Sequence, residues 1–116
     1  MKKIGPSIMF LLILVLASVW HSGYANEGAV KGSDLYVKHC QACHGTDGKG
    51  NGTFASRLNP PPPDLTAPKF WNRNGVEKKI AESITNGSGI MPPFKQLKPN
   101  EVDEIVKYLS DTFRPK

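Results

Sequence analysis

Apolar residues recur with helical spacing toward the C-terminal end, where Val102, Ile105, Val106, Leu109 and Phe113 stand at i, i+3, i+4, i+7 and i+11. That spacing predicts a helix over 100–113 with one buried stripe. Pro99 suits the first helical position, and the cap falls on Lys98 or Asn100. A shorter stripe, Val76, Ile80 and Ile84, predicts a second helix over 76–85. Asn74 and Glu77 have capping-box spacing before it, and Asn86-Gly87 stops it. Leu35, Tyr36, His39, Cys40 and Cys43 lie near one face of a helix over 33–43, capped by Gly32 or Ser33. Alternation of period two is absent, so the fold class is all-α. A different pattern opens the chain: Ile8 to Val19 is apolar except for Ser18.

That opening run changes how the composition is read. Lys2 and Lys3 precede it, and Gly23-Tyr24-Ala25 puts small residues where signal peptidase cuts. The run is short for a membrane span, which needs about 20 residues. Residues 1–25 are expected to be a cleaved secretory signal and 26–116 a single domain, with no stable membrane insertion after cleavage. Cleavage removes two lysines and no acid, so the formal charge falls from +5 to +3. With no basic cluster, nucleic-acid binding is excluded. Glycine and proline supply 18 of the 91 remaining residues, below the roughly 25–30% of disordered chains but enough for long loops. A small loop-rich domain needs a staple: a disulfide, a metal or a large cofactor.

Only Cys40 and Cys43 can supply it, and His44 follows at once. Cys40-Gln41-Ala42-Cys43-His44 is the c-type haem attachment pattern. On a helix, i, i+3 and i+4 share a face, so two thiols and an imidazole meet one flat ligand. The thiols would form thioethers to the haem, and His44 would ligate its iron. A thioredoxin-like pair belongs beside a βαβ unit, which is missing here. Zinc needs four ligands, and His39 directly before Cys40 fits no usual Cys₂His₂ spacing.

The sixth iron position follows by subtraction. Met1 and Met9 leave with the signal, so Met91 is the remaining methionine. It lies in Gly87-Ser88-Gly89-Ile90-Met91-Pro92-Pro93-Phe94, with glycines before it for close approach and prolines after it for stiffness. A methionine is ordinarily core filler; beside a haem motif it becomes the axial candidate. His39 points off the ligand face and reads as a solvated or capping residue. Residues 45–52 form a glycine-rich loop that follows a helix, so it is no phosphate cradle. It lets the chain turn under the haem. Residues 59–64, with four consecutive prolines, read as a polyproline-like connection that walls a haem edge or lies on the surface. The glycosylation-type matches at Asn51 and Asn86 reflect loop composition.

The chain resembles the class I cytochromes c, of the small bacterial monohaem kind. Gly32-Ser33-Asp34-Leu35-Tyr36 followed by Cys40 to Gly45 is similar to that family's first helix and haem motif. Gly89 to Phe94 is similar to its methionine loop, and Glu101 to Leu109 to its last helix. The resemblance implies three main helices and long loops wrapped around one covalently bound haem c with its iron. It places Gly32 and Tyr36 against Tyr108 and Leu109. It also suggests that the Trp71 indole packs beside the haem and bonds a propionate, the alternative being an apolar anchor for the second helix. Relatives often have Gly-Pro where this chain has Gly52-Thr53, and the proline carbonyl there accepts from the proximal histidine. A carbonyl remains at Thr53 for that bond, though which residue supplies it stays open.

These features imply a soluble periplasmic electron carrier rather than an enzyme. Cys40, Cys43, His44 and Met91 would bind the cofactor, with His44 and Met91 on the metal. Its partners would be redox donor and acceptor proteins, met as a monomer in transient complexes. Lys49, Lys95 and Lys98 would rim the haem edge and steer acidic partners. The alternative is a cytochrome c subunit held permanently in a respiratory complex or a periplasmic dehydrogenase. A third class, an enzyme or gas sensor with an open iron, requires that Met91 not ligate.

Overall fold

A computed structural model describes residues 29–116; the secretory signal expected over 1–25 lies outside the described residues. Five α-helices follow in order: α1 (Gly32–His39), α2 (Gln41–His44), α3 (Pro68–Trp71), α4 (Val76–Asn86) and α5 (Pro99–Phe113). A 3₁₀ turn, Ala55–Arg57, sits between α2 and α3. The only extended pairing among the described residues is an isolated bridge between Ser88 and Met91.

The three predicted helices are present, with corrections at their ends. The helix predicted over 33–43 is broken at Cys40, whose φ of −116° leaves the helical range and separates α1 from α2. Hydrogen bonding bridges the break: Cys40 N donates to the Tyr36 carbonyl and His44 N to the Cys40 carbonyl. At α4 the expected Asn74 cap is replaced by Gly75 at φ 64°, with no side-chain bond to the helix. Glycine adopts that left-handed conformation freely, so the chain enters the helix by backbone shape rather than by a side-chain oxygen. At α5 the cap is Lys98, whose N–H donates to Glu101 Oε2 at 2.8 Å, and Pro99 opens the helix as expected.

The core is one cluster in which α1 and α4 both pack on α5. Leu35 and Tyr36 come from α1, Val76, Ile80 and Ile84 from α4, and Val102, Ile105, Leu109 and Phe113 from α5. Each such side chain, fully buried, contributes about 1.5–3 kcal/mol. Tyr36 and Ile105 lie deepest, at 1% and 0% exposure. At the α1–α5 crossing the absence of a side chain on Gly32 is what permits contact. A Cβ there would run into the Glu104 carbonyl and come within 2.8 Å of Tyr108 Cβ. Tyr36 then meets Tyr108 and Phe113, with ring centroids 5.3 and 5.5 Å apart. Gly32 and Tyr36 thus lie where the resemblance places them. The proline run is largely exposed, and its end is tied down where Leu65 N donates to the Gly48 carbonyl at 2.7 Å.

Candidate functional site

The segment Cys40–Gly45 is held by its backbone. A helix end leaves its last carbonyls without intrahelical partners. Here four consecutive ones are satisfied from outside: Ala42 by Phe54 N at 2.8 Å, Cys43 by Gly52 N at 3.1 Å, and His44 by Gly50 N at 2.9 Å. The fourth, Gly45, accepts from the Tyr36 hydroxyl at 2.6 Å. The glycine-rich loop therefore runs back along the turn it follows. Its closest approach is at Gly52, where a Cβ would strike the Ala42 carbonyl and lie 2.7 Å from the Cys43 carbonyl carbon.

Within this clamp Cys40 and Cys43 are half-buried free thiols. Burial, reinforced by Cys43, pushes the Cys40 thiol up to about 12. It is therefore protonated at neutral pH, unlike the low-pKa thiol of a dithiol oxidoreductase. His44 is half-buried, and its desolvation lowers its pKa and favours the neutral imidazole, the form that ligates metals. Its Nδ1 is buried without a hydrogen-bond partner. The bond that the resemblance left open for a carbonyl near Thr53 is thus not made; the N–H groups of Gly50, Gly52 and Phe54 serve the carbonyls of the turn instead.

Met91 lies across the core from this turn in sequence but on the same cluster in space. Cys40 and Met91 both pack against it, as do Phe94 and Leu97. The Met91 loop closes by two reciprocal backbone bonds with Ser88, each 3.0 Å, and is anchored where Phe94 N donates to the Ile84 carbonyl at 2.8 Å. Lys95 Nζ adds a bond to Asn86 Oδ1 at 3.1 Å. Phe94 also meets His39 edge to face, centroids 5.9 Å apart. His39, read as solvated or capping, instead packs on the Met91 loop and joins it to the end of α1.

Trp71 departs from the propionate reading. Its Nε1 donates to the Leu65 carbonyl at 2.7 Å within the chain. Buried at 5% exposure, it serves as the apolar anchor beneath α4. Lys49, Lys95 and Lys98 are all exposed. Among the described residues no group of three or more His, Cys, Asp or Glu could hold a bare metal ion. A pair of thiols beside a neutral imidazole, with a thioether on the same apolar cluster, suits a porphyrin-held iron, which takes only two protein ligands. The Tyr36 hydroxyl is the contributor that sequence patterning missed. Its sole signal was a tyrosine rather than a phenylalanine at a fully buried position.

Comparison with known proteins gives concordant matches. The family model described as cytochrome C oxidase, cbb3-type, subunit III matches residues 27–109. The Cbb3-type cytochrome c oxidase subunit FixP of Bradyrhizobium diazoefficiens is 34% identical over 83 residues, 70% of this chain and 26% of that protein. The chain thus spans about a quarter of the length of that relative. Cytochrome c6 of Gloeothece citriformis is 31% identical over 117 residues, 94% of this chain and 93% of its own length. The solved structure of the KustC0563 c-type cytochrome superposes with a TM-score of 0.60 at 31% identity, covering 74% of this chain and 100% of that one.

Proposed function

We propose, on the premise that this chain belongs to the class I c-type cytochromes, that it is an exported electron carrier whose one haem c is fastened by Cys40 and Cys43 and ligated by His44 and Met91. Haem c, the covalent cofactor of the family, supplies a single iron that alternates between ferrous and ferric states. The observation that supports the site is that residues far apart in sequence border the same apolar core. Cys40 and Met91 pack on one apolar cluster, and the half-buried His44 imidazole beside Cys43 has its pKa lowered by desolvation, which favours the neutral, ligating form. His44 and Met91 are both neutral ligands, so neither must gain or lose a proton when the iron changes charge. The backbone clamp on Ala42 to Gly45 and the anchored Met91 loop hold both donors still, which keeps the rearrangement between oxidation states small. Buried apolar residues exclude water and favour the His/Met raised potential.

Export and a periplasmic location rest on the signal-like residues 1–25. No helix among the described residues is long and apolar enough to cross a membrane. The match to cytochrome c6 over 93% of its length supports a free carrier. The match to FixP supports the second reading, a module held permanently in an oxidase or dehydrogenase complex. Gel filtration of native extract separates them: a carrier elutes at its own size, a subunit with its complex.

The site is tested on holoprotein from a host that matures c-type cytochromes. Mass spectrometry is expected to show one added haem, lost in Cys40→Ser/Cys43→Ser. Met91→Ala is expected to abolish the near-infrared band of a ferric iron–thioether bond and to admit carbon monoxide at neutral pH. An unchanged spectrum in Met91→Ala would remove Met91 from the iron and favour an open-iron sensor or enzyme.

A further inference from the structure

We infer that the Tyr36 hydroxyl is a positioning residue for the axial histidine, acting through the Gly45 carbonyl; this rests on His44 being an iron ligand. Three of the four carbonyls at the end of the haem turn are served by one loop, at Gly50, Gly52 and Phe54. The fourth is served by a side chain from another element. Tyr36 reaches the Gly45 carbonyl at 2.6 Å from α1, which is itself locked to α5 at Gly32. The remaining backbone donor to that carbonyl, Gly48 N, is distant at 3.3 Å.

Tyr36 makes its contact on the backbone immediately after His44, at the Gly45 carbonyl. Ligating histidines ordinarily have their second ring nitrogen fixed by a carbonyl or carboxylate. His44 Nδ1 is buried with no such partner. With no ring-nitrogen partner, the backbone on either side of His44, which aims its Cα–Cβ bond, is the remaining hydrogen-bonded constraint on the imidazole. On the N-terminal side that backbone is helical, with His44 N on the Cys40 carbonyl at 2.9 Å. On the C-terminal side the chain leaves the helix at Gly45 with φ 83°, and Tyr36 holds the carbonyl at that exit. A phenylalanine would fill the same space between Tyr108 and Phe113. Space-filling accounts for the ring, and only the bond to Gly45 accounts for the hydroxyl.

The test compares wild-type and Tyr36→Phe holoproteins by proton NMR of the ferric form. Haem methyl shifts there follow the orientation of the axial imidazole. Tyr36→Phe is expected to keep its covalent haem but to reorder the methyl shifts and move the reduction potential. Val76→Ala, in the same core but on α4 rather than at the α1–α5 crossing, serves as the destabilised control and is expected to leave the methyl order unchanged. A Tyr36→Phe pattern superposable on wild type would overturn the inference, as would the same change in Val76→Ala. If Tyr36→Phe gave no holoprotein, 3-fluorotyrosine in a Tyr108→Phe background would retain the bond and strengthen the donor. A methyl pattern moved relative to unlabelled Tyr108→Phe would then support the inference, and an unmoved one would overturn it. Labelled histidine decides the premise separately: paramagnetically shifted ring signals from a residue other than His44 would sink the ligand assignment itself.

Discussion

The indole nitrogen of Trp71 donates to the carbonyl of Leu65 at 2.7 Å, so both ends of this buried contact belong to the chain rather than to a cofactor. Above the indole face lies Arg114, its guanidinium carbon 5.1 Å from the ring, with Nη1 bonded to Glu77 Oε1 at 3.1 Å. Trp71 thus ties the short α3 to the start of α4 and the end of α5. Trp71→Phe keeps an aromatic ring but leaves the Leu65 carbonyl unpaired in the interior. A loss of about 1–3 kcal/mol in unfolding free energy is expected from that unpaired group. The reduction potential and haem content should stay near wild type. A large potential shift with stability intact would instead point to a propionate bond.

A second expectation concerns the helix crossing. Gly32→Ala places a methyl group against the Glu104 carbonyl and Tyr108 Cβ, both parts of α5 that cannot rotate away. Overpacking of this kind costs about 1–3 kcal/mol, and here the neighbour is backbone, so the upper end applies. Denaturant unfolding of the holoprotein measures it. Ala substituted for Gly75, where a Cβ meets nothing within 4 Å, provides the contrast. Its cost would come from its φ of 64° alone.

How far the fold could be read in advance depended on whether a feature lay in side-chain spacing or in backbone geometry. The α5 stripe from Val102 to Phe113 and the α4 stripe of Val76, Ile80 and Ile84 were legible because burial imposes a 3.6-residue period. The break at Cys40 was not, since residues 33–43 carry one unbroken face whether or not the helix bends. Gly75 replaced Asn74 at the α4 cap because a left-handed glycine can do the work of a side-chain cap. Cys40, Cys43 and His44 declared their chemistry by spacing. The Gly50, Gly52 and Phe54 bonds that hold them involve only backbone donors, which leave no trace in residue type except the glycines. Trp71 shows the converse case: the need of a buried indole for an acceptor was evident, but Leu65 as its provider follows only from the three-dimensional path.

Acid sensitivity should show at Asp64. Its Oδ1 accepts from Thr66 Oγ1 at 2.6 Å and from Thr66 N at 2.8 Å. These bonds, with weaker help from Lys49 and Lys69, hold its carboxyl below the ordinary 3.8. A depressed carboxylate stabilises the fold above its unfolded pKa, and that contribution disappears as pH falls through the folded value. Thr66→Val removes the hydroxyl donor. Its melting temperature is expected to lie below wild type at neutral pH, with the gap closing as pH drops well below 3.8. A gap that persists in acid would assign the effect to packing of the threonine methyl instead.

Salt dependence offers the sharpest look at how partners are met. Lys49 extends from the glycine-rich loop behind His44, while Lys95 and Lys98 follow the Met91 loop, and all three are exposed. Lys95 Nζ donates to Asn86 Oδ1 at 3.1 Å, which puts its charge beside that loop. Exposed charges act on an approaching protein over roughly a Debye length, about 10 Å at 0.1 M salt, and so influence encounter rate more than final affinity. Changing all three to glutamate reverses three charges, a net change of six units around the proposed haem edge. Stopped-flow electron exchange with an acidic redox protein is expected to slow by an order of magnitude or more at low ionic strength, the scale of steering effects. The difference should shrink as salt is raised, and exchange with a small neutral reductant should not change. Equal rates for variant and wild type at low salt would show that these lysines are merely solvated and that partners approach elsewhere on the surface.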